Sequence, residues 1–451
     1  MASLTFYGGA GEIGGNKFLL EEKKAKIYLD FGQSFDFGED YFFEYLQPRS
    51  VNGLECYFEF GLIPRVPKLY SKDMLRFTDL PYKKPDIDGV FITHHHSDHT
   101  GHLPFIDEDI PVYMGHGTKK LIDIYHTLYS SLVDIGEHNN LNLFKSGDEI
   151  KVKHLTLKPI HVEHSTPGAY GYIIETSQGN IVFTGDFRRH GPMQEFTDEF
   201  IEKAAKSKPF CMICEGTRMT PDPEKQYTEA GVYEKVKGII QASKGLVFAE
   251  FSMSNIDRFK TFYRAAEEEG RKLVVDTKYA YLLDNLKDKV GVSDPKTDEN
   301  MKVYFRLCKS CEFCESDYRK LEKDYMQNMI TYKELTKNPK DYLLVTGFNK
   351  LMELIYLQPE KADYIYSSSE HFLEGEDNKQ KRRVLENWLN HFKINIHHAH
   401  CSGHAGKSDL EYTIKNINPD ILIPVHTHNP EEFKKIHDNV ISPEKGGVID
   451  L

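Results

Sequence analysis

The chain contains the stretch GVFITHHHSDH at Gly89–His99, in which an apolar run leads directly into a cluster of potential metal ligands. The apolar run predicts a buried strand, and the cluster reads His94-x-His96-x-Asp98-His99, four potential ligands in six residues. Alternate side chains of an extended backbone point the same way, so His94 and His96 can hold one ion while Asp98 and His99 reach a second. Imidazole with carboxylate suits zinc, manganese or iron better than magnesium or calcium. The stretch therefore predicts a pair of metal ions, which can clamp both sides of a displacement at phosphorus.

A two-ion centre needs about seven or eight donor groups, so the rest of the ligands must come from distant parts of the chain. Candidates follow other strand-like runs: His164 in VEHS, Asp186 in FTGDF and His426 in ILIPVHTH. A shared aspartate can bridge two ions, which favours Asp186 in that role. His161 remains a rival of His164, and His428 a less favoured rival of His426. His95 and His102 lie in the first histidine run but outside its ligand pattern.

Two further polar segments are candidates for work beside the metals. The loop HCSGHA at His400–Ala405 can offer backbone N–H, hydroxyl and imidazole donors to a phosphate, or it can be a simple turn. Glu215 ends another strand-like run, in ICEGT. It can orient a histidine as a hydrogen-bond acceptor, or it can cap a helix.

Two other motifs have competing interpretations. The segment GAGEIG at Gly9–Gly14 matches a dinucleotide-binding fingerprint, but the run that follows it, Lys17–Glu21, predicts a strand where that motif needs a helix. We interpret it as a glycine turn beside the metal site. Cys308, Cys311 and Cys314 have spacing that can hold zinc or a cluster, although no fourth cysteine follows in register. The same spacing can place three small apolar side chains on one helix face.

Composition sets the outer limits. A chain of 451 residues with 39% hydrophobic content predicts two or three domains. The net charge of −12 excludes a general nucleic-acid coat and leaves only a local groove for phosphate. Seven cysteines, an odd number, without a secretory signal indicate a reducing, cytoplasmic compartment. No apolar stretch approaches the ~20 residues of a membrane span.

The order of predicted elements changes along the chain. Short strands dominate the first part, apart from residues 36–86, which read as a long excursion with short helices, and a predicted helix at 118–134. From about residue 225 helices and strands alternate, which predicts an α/β domain with a mainly parallel sheet. The charged segment 290–340 is expected to be helical, and a helix is predicted at 380–392.

Taken together, these residues resemble the metallo-β-lactamase superfamily and, within it, ribonuclease J-like nucleases of the β-CASP group. The chain stops 25 residues after His426, so the resemblance is to the archaeal type without a C-terminal domain. It implies a four-layer αβ/βα sandwich with an inserted β-CASP α/β domain. The expected domains are residues 1–221, the inserted domain at 222–370, and the return segment at 371–451. The matching segments run in family order: Gly8–Asn16, Leu29–Gly32, Thr93–His99, His164-Ser165, Thr184–Phe187, Glu215–Thr217, Phe251–Arg258, His400–Ala405 and Pro424–His426.

The resemblance also implies roles for individual residues. His94, His96 and His164 would hold the first ion and Asp98, His99 and His426 the second, with Asp186 bridging them. Asp30 would buttress the histidine loop. His404, paired with Glu215, would be the general acid, so the implied catalytic set is His404, Glu215, Asp98 and Asp186. The implied pocket for nucleotide phosphates consists of His400, Ser402, Gly403, Ser254 and Asn255.

The resulting hypothesis is a two-metal phosphodiesterase that degrades single-stranded RNA, with zinc, or manganese as the alternative, and a 5′→3′ exonuclease mode. Arg188, Arg189 and the basic residues of 379–383 are candidate cations for the RNA strand. The resemblance favours a homodimer, and the lack of a long apolar stretch predicts no membrane association. Alternatives are an endoribonuclease of the RNA 3′-end-processing type, a DNA-directed β-CASP nuclease, a small-ester or thioester hydrolase, and a non-catalytic scaffold. The sequence leaves the native metal and the physiological substrates open.

Overall fold

The computed structural model describes residues 1–35, 38, 40–42, 45–129, 138, 140–221, 227–369 and 378–451. Within these residues the strands are β1 (Ala2–Gly8), β2 (Lys17–Glu22), β3 (Ala25–Leu29), β4 (Gly89–Phe91), β5 (Val112–Gly115), β6 (Leu141–Phe144), β7 (Ile150–Val152), β8 (Leu155–Val162), β9 (Ala169–Glu175), β10 (Asn180–Phe183), β11 (Cys211–Glu215), β12 (Val247–Glu250), β13 (Lys272–Asp276), β14 (Met301–Tyr304), β15 (Met329–Ile330), β16 (Tyr342–Thr346), β17 (Asp363–Tyr366), β18 (Asn395–His398), β19 (Ile421–Val425) and β20 (Val448–Asp450). The α-helices described are α1 (Glu55–Glu59), α2 (Ser97–Thr100), α3 (His116–Leu128), α4 (Gln194–Ser207), α5 (Glu229–Ala242), α6 (Ile256–Glu268), α7 (Thr277–Val290), α8 (Lys320–Lys323), α9 (Tyr332–Lys337), α10 (Leu354–Leu357), α11 (Lys379–His391) and α12 (Lys407–Ile417).

Two sheets pack face to face and bury one core between them. Their strand orders are β20-β1-β2-β3-β4-β5-β6 and β19-β11-β10-β9-β8-β7. Phe18 and Phe91 of the first sheet meet Tyr172 and Phe183 of the second in the shared core. Helix α3 covers the outer face of the first sheet, and α4 with α12 covers the outer face of the second. Helix, sheet, sheet and helix thus form the four predicted layers, which confirms the predicted fold class.

The stretch that opens the sequence analysis lies at the centre of this sandwich. Strand β4 is buried on both sides: Val90 packs into the outer core and Phe91 into the core between the sheets, which accounts for its continuous apolar run. Beyond β4 the two sheets are tied together, because Tyr172 donates from Oη to the Ile92 carbonyl at 2.6 Å. Strands β10, β11 and β19 run parallel, so the loops after them leave the second sheet at a single edge.

The third sheet belongs to the α/β part of the chain. Its order is β15-β14-β13-β16-β12-β17-β18, and every pairing in it is parallel, as the alternation of helices and strands predicted. Helices α5, α6 and α7 pack on one face and α10 and α11 on the other. Strand β18 lies beyond residue 370, so the sheet takes its last strand from the predicted return segment. Residues 222 and 370, next to the two predicted boundaries, lie outside the described residues, and the boundaries stay a prediction.

Some predicted elements differ from those observed. Residues 290–340 are not mainly helical: they contribute β14 and β15, with short helices and loops between them. Strand β14 alternates into the core at Met301 and Val303, so tertiary burial outweighed the helical propensity of the surrounding charged residues. The predicted helix at 118–134 is observed as α3, and residues 130–137 lie outside the described part. Residues 36–86 have the expected short helices, and Leu54 and Tyr70 from this segment are buried in the core.

Among the helices described, none has the length and apolar character that crossing a membrane would need.

Candidate metal centre

One group of buried ligand atoms gathers around the end of β4. His94 Nε2 lies 2.9 Å from His96 Nδ1, and His164 Nε2 lies 3.2 Å from the same Nδ1. Asp186 Oδ2 is 3.7 Å from His94 Nε2. These four side chains offer ligand atoms that all lie within 4.8 Å of one another. The structure therefore brings together the four residues that the sequence assigned to a first ion, from three separate segments of the chain.

A second group shares its carboxylate with the first. Asp98 Oδ2 lies 2.8 Å from His426 Nε2 and 3.4 Å from His99 Nε2. The same Asp186 Oδ2 lies 3.2 Å from His99 Nε2 and 3.9 Å from His426 Nε2. A single carboxylate oxygen thus faces both groups, in the position that a bridging ligand would occupy.

The outer nitrogens of these rings are held by hydrogen bonds, which fixes the direction of the inner nitrogens. His99 Nδ1 lies 2.7 Å from Asp30 Oδ2, and Thr93 donates to the same carboxylate from its backbone N–H and its hydroxyl. His94 Nδ1 is 3.0 Å from Thr93 Oγ1. His164 Nδ1 donates to the Gly403 carbonyl at 2.7 Å, and His426 Nδ1 is 2.8 Å from Thr217 Oγ1. Asp30 lies where the resemblance expected it.

The two groups differ in their electrostatics. The first group already favours the neutral rings that a cation needs. Burial lowers the pKa of His94 and His164 well below the usual value, and it lowers the pKa of His96 to about 4. These rings are therefore neutral at pH 7 and can donate a lone pair.

In the second group, although burial opposes protonation, Asp186 and Asp98 raise the pKa of both His99 and His426, so a cation bound there would displace protons. Burial alone would raise the pKa of Asp186, but the neighbouring rings of His99 and His426 outweigh it and hold that pKa well below the usual range.

The donor set fits a divalent cation. Asp186 Oδ2 is buried, and in the described part of the chain no donor meets it with hydrogen-bond geometry. A buried carboxylate oxygen without a hydrogen bond destabilises the fold, and a bound cation would offset that cost. Besides Asp186, the first group supplies three imidazole nitrogens, and the second supplies two imidazole nitrogens and one carboxylate oxygen. Such a constellation of imidazole and carboxylate is typical of a binuclear transition-metal site.

His404 lies next to the shared carboxylate. Its Nδ1 is 3.2 Å from both oxygens of Glu215 and 3.7 Å from Asp186 Oδ2. Glu215 is held in place by the backbone N–H groups of Phe187 and Thr217. Although burial opposes protonation, Glu215 and Asp186 raise the pKa of His404 to about 9. At pH 7 this ring is therefore a proton donor, and it retains 21% of its side-chain surface in contact with solvent.

The loop at residues 400–404 adjoins the metal residues. The Gly403 carbonyl accepts the hydrogen bond from the His164 ring, and His404 N–H donates to Ser402 Oγ at 3.1 Å. Ser254 and Asn255 precede α6, where Asn255 Oδ1 accepts from Arg258 N–H as a helix cap. The side chain of Arg258 in turn reaches His400 Nδ1 at 3.2 Å. Arg258 thus connects the two halves of the predicted phosphate pocket.

Several residues that the sequence left open are placed elsewhere. His161 packs between Tyr170 and Phe196, and His428 is exposed; neither belongs to a ligand group among the described residues. His95 lies 3.1 Å from Thr166 Oγ1 and against the Tyr125 ring. His102 stacks on Phe105.

Two of the side chains predicted as cations for the RNA strand are paired with carboxylates of the protein. Arg188 is fully buried and pairs with Asp257 at 2.7 Å, so the prediction that it meets RNA at the surface is wrong. Arg189 pairs with Asp198 at 2.8 Å and lies over the Tyr412 ring. Sequence reasoning also missed the roles of Thr93, which directly precedes His94, and of Thr217, which lies two residues after Glu215; these positions were the one available signal.

The glycine segment forms a turn beside the metal residues, as predicted. His426 N–H donates to the Gly9 carbonyl at 2.7 Å, and Asn16 N–H donates to the Asp98 carbonyl at 3.0 Å. Gly14 has φ +87°, and a Cβ there would lie 3.1 Å from Asp98 Cβ. Glycine is needed at this position because the backbone approaches a candidate ligand closely in a left-handed conformation.

Comparison with known proteins agrees with this geometry. Residues 66–244 match the family described as "Beta-lactamase superfamily domain", and residues 390–432 match "Zn-dependent metallo-hydrolase RNA specificity domain". Ribonuclease J of Mycoplasma pneumoniae is 24% identical over 438 residues, which is 93% of this chain and 67% of that protein. Ribonuclease J of Methanocaldococcus jannaschii is 23% identical over 387 residues, 80% of this chain and 81% of that protein.

A crystal structure described as a protein of unknown function from Enterococcus faecalis V583 superposes with a TM-score of 0.78, at 25% identity and over 100% of both chains. The chain spans about two thirds of its Mycoplasma relative and 59% of ribonuclease J from Sinorhizobium meliloti. The matched domains, these relatives and the two ligand groups that share Asp186 support a ribonuclease J-like nuclease of the β-CASP group in the metallo-β-lactamase superfamily.

Proposed function

We propose that the protein is a metal-dependent ribonuclease that hydrolyses phosphodiester bonds of single-stranded RNA from the 5′ end, in RNA processing and decay. The observation that carries this proposal is the pair of ligand groups joined by Asp186, with His404 Nδ1 3.7 Å from the shared oxygen. The match to an RNA specificity domain at residues 390–432, which includes His404, supports RNA as the substrate.

The ligand assignment follows from the two groups. His94, His96 and His164 would hold one cation, and Asp98, His99 and His426 the other, with Asp186 between them. Zinc is the preferred ion for nitrogen-rich sites of this kind, and manganese is the alternative. When bound, the two cations lower the pKa of water and offset the charge that develops at phosphorus.

The chain itself supplies the proton for the leaving group. His404 carries a proton at neutral pH because Glu215 and Asp186 raise its pKa to about 9. Glu215 accepts the hydrogen bond from His404 Nδ1 and thereby fixes the orientation of the ring. The opposite nitrogen of His404, Nε2, is therefore the one that can donate to the departing 3′ oxygen. Asp98 and Asp186 remain ionised, which keeps the site ready for cations.

The exonuclease mode rests on the predicted phosphate pocket. The loop that contains His404 also contains His400, Ser402 and Gly403. The carbonyl of Gly403 accepts a hydrogen bond from the candidate ligand His164. A terminal 5′-phosphate held by this loop, with Ser254 and Asn255, would lie at a fixed distance from the ligand groups. That fixed distance would set the cut one nucleotide into the strand.

The proposal is tested with three substrates of one sequence: 5′-phosphorylated RNA, 5′-hydroxyl RNA and 5′-phosphorylated DNA, each with zinc or manganese. Mononucleotides released only from the first support a 5′→3′ exoribonuclease. Internal fragments from both RNAs would instead identify an endoribonuclease, and equal cleavage of the DNA would overturn RNA preference. Metal content, measured by elemental analysis, should approach two ions per chain.

We further propose a homodimer in the cytoplasm. The dimer is supported by family likeness and is tested by light scattering of the purified protein. The cytoplasmic location is supported by seven cysteines that are all free, as expected in a reducing compartment. Fractionation of the expressing cell tests this placement.

A further inference from the structure

We propose that Arg258 is the positioning residue that assembles the terminal-phosphate pocket across the joint between the inserted α/β domain and the return segment. This inference rests on the proposed function and deepens it. Arg258 lies in the first turn of α6 and has no solvent exposure. Its side chain makes contacts on both sides of the joint, and these contacts define the proposal.

On the side of the inserted domain, the guanidinium is held by a carboxylate. Arg258 Nε donates to Glu229 Oε1 at 2.8 Å, and Nη2 donates to Glu229 Oε2 at 3.1 Å. Glu229, at the start of α5, also accepts from Thr261 Oγ1 at 2.7 Å. The backbone N–H of Arg258 donates to Asn255 Oδ1. One residue thus fixes the turn that carries Ser254 and Asn255.

On the other side, the same guanidinium reaches the loop of the return segment. Nη2 donates to the Cys401 carbonyl at 3.2 Å, and Nη1 lies 3.2 Å from His400 Nδ1. Back on the side of the inserted domain, Nη1 also donates to the carbonyl and hydroxyl of Ser367, at 2.7 and 2.6 Å, just beyond β17. The Cys401 thiol closes the network by contacting Glu229 Oε2 at 3.1 Å.

The charges suggest why the residue is an arginine. A buried guanidinium costs several kcal/mol unless it is paired and hydrogen-bonded, and here the bidentate contact with Glu229 makes the pair neutral overall. The pair therefore adds little positive field of its own to the pocket. Its contribution is geometric: a planar fork can bind a carboxylate, two carbonyls and a hydroxyl at once, which a lysine ammonium cannot do. His400, Ser402 and Gly403 remain partly exposed and free to face a ligand.

A role in global stability alone is the competing explanation, and Arg271 provides the matched control. Arg271 is also buried in the inserted domain, and it donates to the carbonyls of Gly245, Ile240, Ser243 and Tyr342. None of these partners lies in the loop at 400–404. Arg271→Lys should therefore lower stability without changing how the 5′ end is recognised.

The experiment compares wild type, Arg258→Lys and Arg271→Lys in two assays. The first measures kcat and KM on 5′-phosphorylated and 5′-hydroxyl RNA. The second measures binding of uridine 5′-monophosphate and of uridine by calorimetry, without turnover. We expect Arg258→Lys to raise KM for phosphorylated RNA about tenfold and weaken the monophosphate by the same factor, a loss of about 1.4 kcal/mol. Metal content and uridine binding should stay as in wild type.

The outcomes are separable. An Arg258→Lys protein that binds metal and still distinguishes the two RNAs as wild type does would overturn the inference, as would an equal change in Arg271→Lys. If wild type cleaves no RNA but loses monophosphate binding on Arg258→Lys, the proposed function fails while the pocket stands. Should Arg258→Lys not fold, Ser367→Ala, which removes one acceptor of the same fork, should weaken the monophosphate selectively but by less; unchanged binding there counts against the inference.

Discussion

Two segments of this chain carry spacings that suit a metal ion, and the fold treats them differently. The segment at residues 94–99 follows a strand that is buried on both faces, and its candidate ligands meet those of distant loops within 4.8 Å. The segment at residues 308–314 lies in a loop, with Cys311 exposed and Cys308 and Cys314 partly exposed. Among the described residues, no group of converging ligand atoms includes a cysteine.

The difference shows that ligand spacing predicts a metal site only where the surrounding fold buries the side chains and fixes their directions. Asp98 and His99 are buried, and the outer nitrogen of His99 is held by Asp30 and Thr93, so its inner nitrogen has a fixed direction. The cysteine loop instead turns through left-handed residues at Cys311 and Phe313, and the Cys308 thiol lies against the Arg306 carbonyl at 3.7 Å. The interpretation of these cysteines as buried side chains on a helix face is wrong, because the segment is neither helical nor buried.

The largest effect on the difference between the two segments is expected from Asp186→Asn. The amide keeps the shape but removes the charge that both ligand groups share. We expect loss of metal content and a fall in kcat of about a thousandfold, since several kcal/mol of charge stabilisation depend on the cations. Elemental analysis and turnover on 5′-phosphorylated RNA check this. Asp123→Asn, at an exposed carboxylate that pairs with Lys119, is the control; retention of two ions by Asp186→Asn would contradict the bridging assignment.

His404→Ala sharpens the comparison by separating chemistry from metal binding. His404 contacts Glu215 and the shared carboxylate but is not part of either four-residue ligand group. We expect metal content to stay near wild type and kcat to fall about a hundredfold, the usual contribution of a general acid. Full turnover in this variant would show that the proton comes from elsewhere. His428→Ala, at an exposed histidine of the neighbouring loop, should leave both quantities unchanged.

Residue spacing predicted the candidate ligands that lie close together in the chain, but it did not decide which distant residues complete the metal centre. His94, His96, Asp98 and His99 lie within six consecutive residues that lead from the end of β4 into α2, so the local chain limits where they can lie relative to one another. His164, Asp186 and His426 are assembled only by the order of strands in two sheets, and for this reason His161 and His428 could not be rejected from spacing. The family resemblance selected the residues that the structure then brought together.

The contacts of Arg258 could not be predicted from the sequence. Arg258 was quoted as the end of a matching segment, but its partners Glu229, Ser367 and Cys401 are separated from it by 29, 109 and 143 residues. No periodicity connects residues so far apart. The charged segment at 290–340 failed for a related reason, because the burial of β14 depends on its neighbours in the sheet and its own four residues carry little signal.

Lys17→Met tests whether burial of a lysine ammonium close to the candidate metal residues lowers the stability of the fold. Lys17 is 3% exposed and donates to the Gly15 carbonyl at 3.1 Å. Burial lowers its pKa from 10.5 to about 7, despite the nearby charge of Glu12. Between these two pKa values the unfolded chain binds more protons than the native protein, so wild-type stability rises with pH from about 7 towards 10.5.

The methionine variant should lack this slope. We expect it to be more stable than wild type at pH 7 by about 2–4 kcal/mol and by less at pH 9, since the cost of charging the buried amine falls as pH rises. Urea unfolding of the metal-loaded proteins at both values measures the difference. Parallel stability curves for wild type and variant would contradict the assigned cause.

The smallest effect is expected at the cysteines, where the comparison predicts no change. Replacing Cys308, Cys311 and Cys314 together by serine should leave metal content and turnover at wild-type values, because no described ligand atoms converge with these thiols. Two outcomes would break the comparison in different ways. A loss of about one ion per chain at full activity would mean that the loop closes around a metal of its own. A loss of activity at full metal content would mean that the loop meets the substrate, since Cys311 is exposed and Cys308 and Cys314 are partly exposed.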